Sequence, residues 1–314
     1  MSTALIFPGQ GAQFVGMGRD LHAASAAARA VFAHADATLE LPLTELCFAG
    51  PEAALMATEN AQPALLTVSV ALLATLSERA GSEPTAFVAQ QAAFVAGHSL
   101  GEYSALVAAG AFDFATALRL VRRRGELMAQ ARNGAMAAII GLEEGPLEAI
   151  CVAVTAAHGP VVIANYNAPG QLVISGTQAG IEQAIAAAKA HGAKRALPLK
   201  VSAAFHSPLM QAAASALAPL IAEATIRDPQ VPVISNVNAA PITRADAIRS
   251  ELVAQITAPV RWIASVETMQ AHGVDAFVEV GAGNVLTGLT KRIAPAAALV
   301  NINSAASVAA YTRR

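Results

Sequence analysis

Charged residues are scarce in this chain, at 13% of 314 residues, and they nearly cancel to a formal net charge of −2. A balance this close to neutral gives no reason to expect a nucleic-acid partner. Hydrophobic residues make up 55% of the sequence, which excludes extensive disorder and predicts a large core. The length accommodates one large domain or two modest ones.

Cysteines are few, and secretion signals and long apolar runs are lacking. Cys47 and Cys151 stand in unrelated segments without metal-ligand spacing, so we expect free thiols in a reducing cytoplasm and no metal site. A basic region followed by an apolar one is not found at the start, so we expect no signal peptide. The longest apolar stretch, residues 64–76, contains hydroxyl residues and is too short to span a bilayer. We therefore expect a buried helix there, in a cytoplasmic protein that makes no use of a membrane.

Strand and helix patterns alternate along most of the chain. Residues 3–7 form an apolar run that ends in a glycine-containing turn at residues 8–11, and residues 19–80 show helical patterns. A polar connection is expected at residues 81–91, before a strand at residues 92–96. This alternation predicts a parallel α/β sheet. Its further strands are expected near residues 231–237, 276–280 and 299–302.

The middle of the chain has shorter elements in the order strand-helix-strand-strand-helix-strand, which is ferredoxin-like. The strands are expected at residues 135–140, 161–165, 172–175 and 195–199, and the helices at residues 145–157 and 179–191. We therefore predict a ferredoxin-like small subdomain at residues 132–199. It is inserted into a large subdomain formed by residues 1–131 and 200–314.

Residues 97–101, with the sequence GHSLG, follow an apolar strand pattern and precede a helical one. A serine between glycines at a strand-to-helix turn is the pattern of a nucleophile elbow, where the turn exposes the hydroxyl and the next backbone N–H faces a developing oxyanion. Small flanking residues are required because the backbone packs closely on both sides. Five-residue matches also occur by chance, but the placement favours Ser99 as a nucleophile.

A serine hydroxyl needs a base, and His206 is the best of seven candidate histidines. His98 adjoins the serine, and side chains diverge on such a turn; the others lie in alanine-rich or helix-end contexts. His206 lies in a loop after a strand, where catalytic groups are common, although a structural role is about equally compatible with its position. The only aspartate between Ser99 and His206 is Asp113, which is expected to cap a helix at residues 114–131. A backbone or amide carbonyl is then the candidate to orient the imidazole, which argues against an ordinary esterase.

Arg124 falls inside the apolar stripe of that helix, whereas Arg123 points away. A buried guanidinium needs an anionic partner. One candidate is a substrate carboxylate held by two parallel N–H bonds. The alternative is an internal ion pair with Glu102 or Glu126.

Together these residues resemble the malonyl-CoA:acyl-carrier-protein transacylase family of bacterial type II fatty-acid synthesis. The resemblance is carried by Arg124 and by the segments IFPGQGAQ (6–13), GHSLGEYS (97–104), NYNAPG (165–170), AFHS (204–207), SNV (235–237) and VLTGL (285–289). It covers nearly the whole chain and implies an α/β-hydrolase-like parallel-sheet core with an inserted ferredoxin-like subdomain.

The resemblance also implies roles for individual residues. Ser99 would accept the acyl group, His206 would be its base and Arg124 would bind the malonyl carboxylate. The remaining implied roles are the oxyanion-hole N–H groups of Gln10 and Leu100, the His206-orienting carbonyl of Gln255, and an acyl pocket lined by Met128, Val201 and Phe205.

The implied reaction is a ping-pong transfer of malonyl from malonyl-CoA to holo acyl carrier protein, by a monomer without a cofactor. Other carriers remain open, in a polyketide synthase or a malonate decarboxylase system. So do two other classes, a serine hydrolase or thioesterase and a non-catalytic carrier-binding scaffold. Carrier docking is expected at Lys189, Lys194, Arg195 and Lys200, which are equally compatible with a solvated basic face.

Overall fold

The computed structural model describes residues 2–131, 134–199, 201 and 203–312. Its strands are β1 (Thr3–Phe7), β2 (Phe94–Gly97), β3 (Ala135–Ile140), β4 (Val161–Ala168), β5 (Gln171–Gly176), β6 (Arg195–Pro198), β7 (Val233–Ile234), β8 (Pro241–Ile242), β9 (Ala276–Val280) and β10 (Ala298–Ile302). The helices before the small subdomain are α1 (Arg19–Ala24), α2 (Ala26–Leu39), α3 (Leu43–Ala49), α4 (Glu52–Met56), α5 (Thr58–Ala80), α6 (Pro84–Gln91), α7 (Gly101–Ala108) and α8 (Phe114–Gln130). Those that follow are α9 (Glu144–His158), α10 (Gln178–Ala190), α11 (Gln211–Glu223), α12 (Ala245–Ala254), α13 (Trp262–Ala271), α14 (Val285–Ile293) and α15 (Ala305–Ala310).

The large sheet has the strand order β10-β9-β1-β2-β7-β8. Neighbours from β10 to β7 pair in parallel, which confirms the predicted parallel α/β core. The edge strand β8 was not predicted and pairs antiparallel with β7. In the register of β1 and β2, Phe7 lies opposite Gly97, so the turns that follow these two strands meet at one edge of the sheet. Ligand sites in open α/β sheets form at such carboxyl ends.

The second sheet is antiparallel, with the order β4-β5-β3-β6. Together with α9 and α10 it gives the strand-helix-strand-strand-helix-strand order expected for a ferredoxin-like unit. A separate apolar cluster fills the space between this sheet and its two helices, with Ile139, Leu147 and Ile174 buried. The ferredoxin-like element order is thereby confirmed. The predicted subdomain boundaries fall on residues 132 and 200, which lie outside the described residues, and the division of the chain stays a prediction.

The polar connection predicted at residues 81–91 is wrong, because most of it folds as α6. Pro84 occupies the first turn of this helix, where its fixed φ is compatible with helical geometry. Phe87 and Val88 are buried. Burial of these two apolar side chains stabilises a helix that the sequence pattern did not predict.

Helix α5 is the central helix of the large core and contains residues 64–76, the predicted buried helix. Its length and composition would suit a membrane crossing, yet 83% of the relevant window is buried within the protein. It packs against α2 and α8. This burial is typical of a core helix and confirms the buried helix expected at residues 64–76.

Candidate active site

The turn between β2 and α7 holds Ser99 in the left-handed region, at φ 51°, which is uncommon for a residue with a side chain. The two glycines of this turn are required because other backbone atoms lie too close to leave room for a side chain. A Cβ on Gly97 would lie 1.9 Å from the carbonyl carbon of Gly101, and one on Gly101 would lie 2.1 Å from the carbonyl oxygen of Phe7. The strand-turn-helix geometry of a nucleophile elbow is therefore present.

Asn236 braces this turn from the loop after β7. Its Oδ1 accepts a hydrogen bond from the backbone N–H of Ser99 at 2.6 Å, and its Nδ2 donates to the carbonyl oxygen of Gly97 at 2.7 Å. Both backbone groups would otherwise lack partners at a buried turn. Asn236 belongs to the SNV segment, but sequence reasoning gave it no role.

The hydroxyl of Ser99 lies 2.7 Å from Nε2 of His206. On the other side of the imidazole, Nδ1 is 2.9 Å from the carbonyl oxygen of Gln255 and 3.1 Å from that of Ala258. Two carbonyl acceptors place the proton on Nδ1, which leaves the Nε2 lone pair facing the serine. Burial and the nearby Arg124 cation lower the pKa of His206 to about 3, so the imidazole is neutral at physiological pH.

A carboxylate does not take part in this arrangement, since none among the described residues bonds to His206. Asp113 instead caps α8 by accepting from the N–H of Thr116 at 2.8 Å, as predicted. The His206 imidazole is therefore oriented by two backbone carbonyl groups, those of Gln255 and Ala258.

Arg124 is 1% exposed and reaches the same centre from α8. Its Nη1 donates to Oε1 of Gln62 at 2.8 Å, and its Nη2 donates to the hydroxyl of Ser99 at 3.1 Å and to Oε1 of Gln255 at 2.9 Å. Nε has no hydrogen-bond partner among the described residues. Burial lowers the pKa of the guanidinium, while Tyr103 and Glu102 raise it.

Neither internal ion pair considered from the sequence forms with Arg124. Glu126 pairs with Arg122 at 2.7 Å and with Arg123 at 3.1 Å. Glu102 has one oxygen bonded to Gln255 and the other without a partner in the described part of the chain. The buried cation therefore lies among amides and a hydroxyl, which leaves it able to bind an anion from outside the protein.

A cavity of about 1100 Å³ opens above these groups. Most of the predicted site residues line it, namely Gln10, Ser99, Leu100, Arg124, Met128, Val201, Phe205 and His206. Gln255 is fully buried beneath the cavity. The backbone N–H groups of Gln10 and Leu100 find no acceptor among the described residues, which suits an oxyanion hole.

Other residues singled out in the sequence lie apart from this centre. Nε2 of His98 is 2.8 Å from Oδ1 of Asn167, so this ring is committed elsewhere. Lys189, Lys194 and Arg195 are exposed, and Lys200 lies outside the described residues. Across the described residues, groups of three or more His, Cys, Asp or Glu side chains able to hold a metal ion are not found.

Two side chains near the reacting atoms were missed by sequence reasoning. Gln62 lies in α5 just before the apolar stretch 64–76 and is fully buried; a lone amide beside such a run is a signal that a polar partner lies opposite. Glu102, considered only as an ion-pair partner, instead contacts Gln255.

Comparison with known proteins places this geometry in a family. The model of the acyl transferase domain family matches residues 4–313. A malonyl CoA-acyl carrier protein transacylase of Escherichia coli (strain K12) is 48% identical over 311 residues, covering 98% of this chain and 97% of the relative.

Solved structures of the same family have a closely similar fold. An acyl-carrier-protein S-malonyltransferase from Bartonella henselae has a TM-score of 0.94 at 44% identity, over 99% of this chain and 98% of the other. A malonyl-transacylase in complex with the acyl-carrier protein of a type II PKS has a TM-score of 0.92 at 43% identity, over 98% of both chains. The chain therefore belongs to the acyl transferase domain family and, within it, groups with the malonyl-CoA:acyl-carrier-protein transacylases.

Proposed function

We propose that the protein transfers the malonyl group of malonyl-CoA to the phosphopantetheine thiol of holo acyl carrier protein, through a malonyl ester on Ser99, in support of fatty-acid synthesis. The observation that carries the proposal is a buried guanidinium with no ion-pair partner among the described residues, beside a serine that is hydrogen-bonded to a neutral histidine. The names of the relatives point to the same reaction.

In the first half-reaction, Ser99 Oγ attacks the thioester carbonyl while Nε2 of His206 takes the hydroxyl proton. The carbonyls of Gln255 and Ala258 stabilise the resulting imidazolium through Nδ1–H. The N–H groups of Gln10 and Leu100 stabilise the oxyanion of the tetrahedral intermediate. Collapse breaks the C–S bond, and Nε2–H returns the proton to the CoA thiolate.

In the second half-reaction, the carrier thiol loses its proton to Nε2 and attacks the malonyl-Ser99 ester. Collapse of this second intermediate releases Ser99 Oγ, which regains the proton from His206. Atoms and protons balance over both steps, so the transfer requires no cofactor. Water must be excluded from the ester, because hydrolysis would release free malonate.

Arg124 would select for malonyl among acyl groups. A malonyl carboxylate would receive N–H bonds from the guanidinium, which has an unused donor at Nε and is preorganised by Gln62 and Gln255. An acetyl group would leave this buried cation unpaired. Met128, Val201 and Phe205 would enclose the rest of the acyl chain.

Several broader features belong to the same proposal. The catalytic groups come from the large subdomain (1–131 and 200–314), and the small one (132–199) closes the cavity through Met136 and Asn165. We infer a cytoplasmic monomer, and the two buried free thiols, Cys47 and Cys151, fit a reducing compartment. Carrier docking on the exposed basic residues Lys189, Lys194 and Arg195 is part of the proposal.

A second candidate is transfer to the carrier of a polyketide synthase, favoured by the likeness to a malonyl-transacylase bound to a type II PKS carrier. The chemistry on Ser99 is identical, and only the carrier differs. A panel of purified holo carriers from both kinds of system separates the two candidates by relative kcat/KM.

The central test is to incubate the protein with malonyl-CoA and to map the adduct by mass spectrometry. We expect a malonyl ester on Ser99, no adduct with Ser99→Ala, and an unchanged adduct with the exposed control Ser250→Ala. Addition of holo carrier should then move the malonyl group to the carrier thiol. Rapid release of free malonate without a carrier would favour a hydrolase, and turnover by Ser99→Ala equal to wild type would favour a non-catalytic scaffold.

A further inference from the structure

Glu102 is a buried acid beneath the cavity that the reaction steps above do not use. It lies in the first turn of α7 and is 1% exposed. Its Oε2 accepts a hydrogen bond from Nε2 of Gln255 at 2.5 Å. Its Oε1 has no donor among the described residues, so an ionised carboxylate would carry an unsatisfied buried oxygen.

Gln255 connects this carboxyl group to His206, Ser99 and Arg124. Its backbone carbonyl holds His206, its Nε2 also donates to the carbonyl oxygen of Ser99 at 3.0 Å, and its Oε1 accepts from Arg124. Two acceptors, Glu102 and the Ser99 carbonyl, face the nitrogen of this amide. The amide oxygen is therefore turned towards the guanidinium, and reversal of the amide would set N–H groups against the cation.

The surroundings of Glu102 favour its neutral form. The groups that act on its carboxyl are Glu251 from α12, the amide of Gln255, the backbone N–H of Asn236 and Arg124 from α8. Burial, followed by the Glu251 carboxylate, raises the pKa of Glu102 well above its usual range. Protonation of Glu102 would allow its Oε1, which accepts no hydrogen bond from the described residues, to donate one instead.

Glu251 is the better satisfied acid of the two and is the one suited to carry the negative charge. It accepts from the hydroxyl of Ser235 at 2.7 Å and from the N–H of Val237 at 3.0 Å. Burial raises its pKa above the usual range, and hydrogen bonds from Ser235, from backbone N–H groups and from Glu102 limit that rise. With Glu102 neutral, one carboxylate rather than two opposes the charge of Arg124, and that charge stays available to an anionic acyl group.

We propose that Glu102, as a protonated carboxyl group, is a positioning residue that fixes the Gln255 amide and through it the Arg124 guanidinium, and so sets the preference for an anionic acyl group. This inference rests on the proposed malonyl transfer. The acid does not touch the substrate. It acts through one amide on the group that does.

Two substitutions separate hydrogen bonding from charge. Glu102→Gln keeps an acceptor for Gln255 and an N–H donor for Glu251, whereas Glu102→Met keeps the length and loses both. The matched control is Glu126→Gln, an acid on α8 that pairs with Arg122 and Arg123. For each protein, kcat and KM for acylation of Ser99 are measured with malonyl-CoA and with acetyl-CoA, together with the melting temperature.

We expect Glu102→Gln and Glu126→Gln to keep the malonyl-to-acetyl ratio of kcat/KM within about threefold of wild type. Glu102→Met should lower that ratio by about tenfold or more, as expected when the hydrogen bond between the Gln255 amide and the Arg124 cation is lost, and mainly by a lower kcat/KM for malonyl-CoA. A loss of folding stability alone would lower both substrates equally, so the ratio reports positioning.

If Glu102→Met keeps the wild-type malonyl-to-acetyl ratio of kcat/KM, the positioning role is overturned. A ratio in Glu102→Gln that changes by more than about threefold, in either direction, would show that the charge of Glu102 matters and would overturn the neutral form. If Glu102→Met does not fold, the infrared difference spectrum of wild type minus Glu102→Gln decides: a buried carboxylic-acid C=O band supports the proposal, and its absence overturns it. Lack of a malonyl adduct in wild type and Glu126→Gln alike would instead overturn the proposed function, and the inference with it.

Discussion

Asn236 and Ser99 are joined by a 2.6 Å hydrogen bond from the serine backbone N–H to the asparagine side chain, across 137 positions of sequence. The same amide holds the carbonyl of Gly97. Ser99, the proposed nucleophile, is therefore kept at φ 51° by a side chain from a different loop. The strain of that backbone conformation is compensated by tertiary contacts rather than by the turn itself.

Asn236→Ala should expose this dependence. It leaves two buried backbone groups unpaired, so we expect the free energy of unfolding to fall by about 2–4 kcal/mol. The rate of Ser99 acylation should fall as well, because the hydroxyl loses its fixed position. Urea denaturation and single-turnover acylation measure the two effects. Asn238→Ala, which removes an exposed amide of the same loop, is the control, and an acylation rate in Asn236→Ala equal to that of the control would contradict the brace.

Arg124→Ala should relax acyl selectivity. Loss of the partner for a buried carboxylate is expected to weaken transition-state binding of malonyl-CoA by about 2–5 kcal/mol, which corresponds to roughly 30-fold or more in kcat/KM. Acetyl-CoA should be affected much less. Competition between the two thioesters gives the ratio directly, with Arg123→Ala, which removes a half-exposed arginine of the same helix, as the control. Retained preference for malonyl in Arg124→Ala would refute the role as a carboxylate clamp.

His206 makes stability depend on pH with a definite sign. Because burial and Arg124 lower its pKa to about 3, the unfolded chain binds a proton here between about pH 6.5 and 3 while the folded protein does not. The free energy of unfolding is therefore unaffected by protonation of this histidine above about pH 6.5. It decreases as the pH falls towards 3, by up to about 1.4 kcal/mol per pH unit. Urea denaturation at about pH 7.5 and 5 should show a larger loss for wild type than for His206→Asn. The exposed control His191→Asn should behave as wild type, and equal losses in all three proteins would contradict the lowered pKa.

Gly101→Ala should severely destabilise the protein, since its Cβ would lie 2.1 Å from the backbone oxygen of Phe7. Neither backbone segment can move without disturbing β1 or α7, and we expect a loss of about 3 kcal/mol or more. Gly288→Ala is the matched control, because no atom of the described residues lies within 4 Å of its added Cβ; in helix α14 it should stabilise by about 0.5–1 kcal/mol. Melting temperatures of the two variants measure the difference. Similar values for both would argue against the close approach of the turn to β1.

Secondary structure was predicted correctly from local sequence patterns where interactions between residues close in sequence stabilise the helix or strand. Strand β1 has the predicted bounds, and α8 begins after its predicted cap, Asp113, because this carboxylate accepts from the backbone N–H three residues later. Helix α6 was missed because its stabilisation comes from burial of Phe87 and Val88. Strand β8 was missed because it has only two residues and forms by pairing with β7. Neither feature leaves a periodic signal in the sequence.

The sequence by itself determined which residues are the candidate reacting groups. A serine between glycines at a strand-to-helix turn, a histidine in a loop and an arginine on an apolar helix face each follow from spacing and residue type. Tertiary structure decided what surrounds them: Gln62, Asn236 and Gln255 approach from segments 62, 137 and 131 positions away from the residues that they hold. The physical reason is that helical and strand periodicities act over a few residues. Whether the buried cation meets a carboxylate or an amide depends on the packing of the whole core.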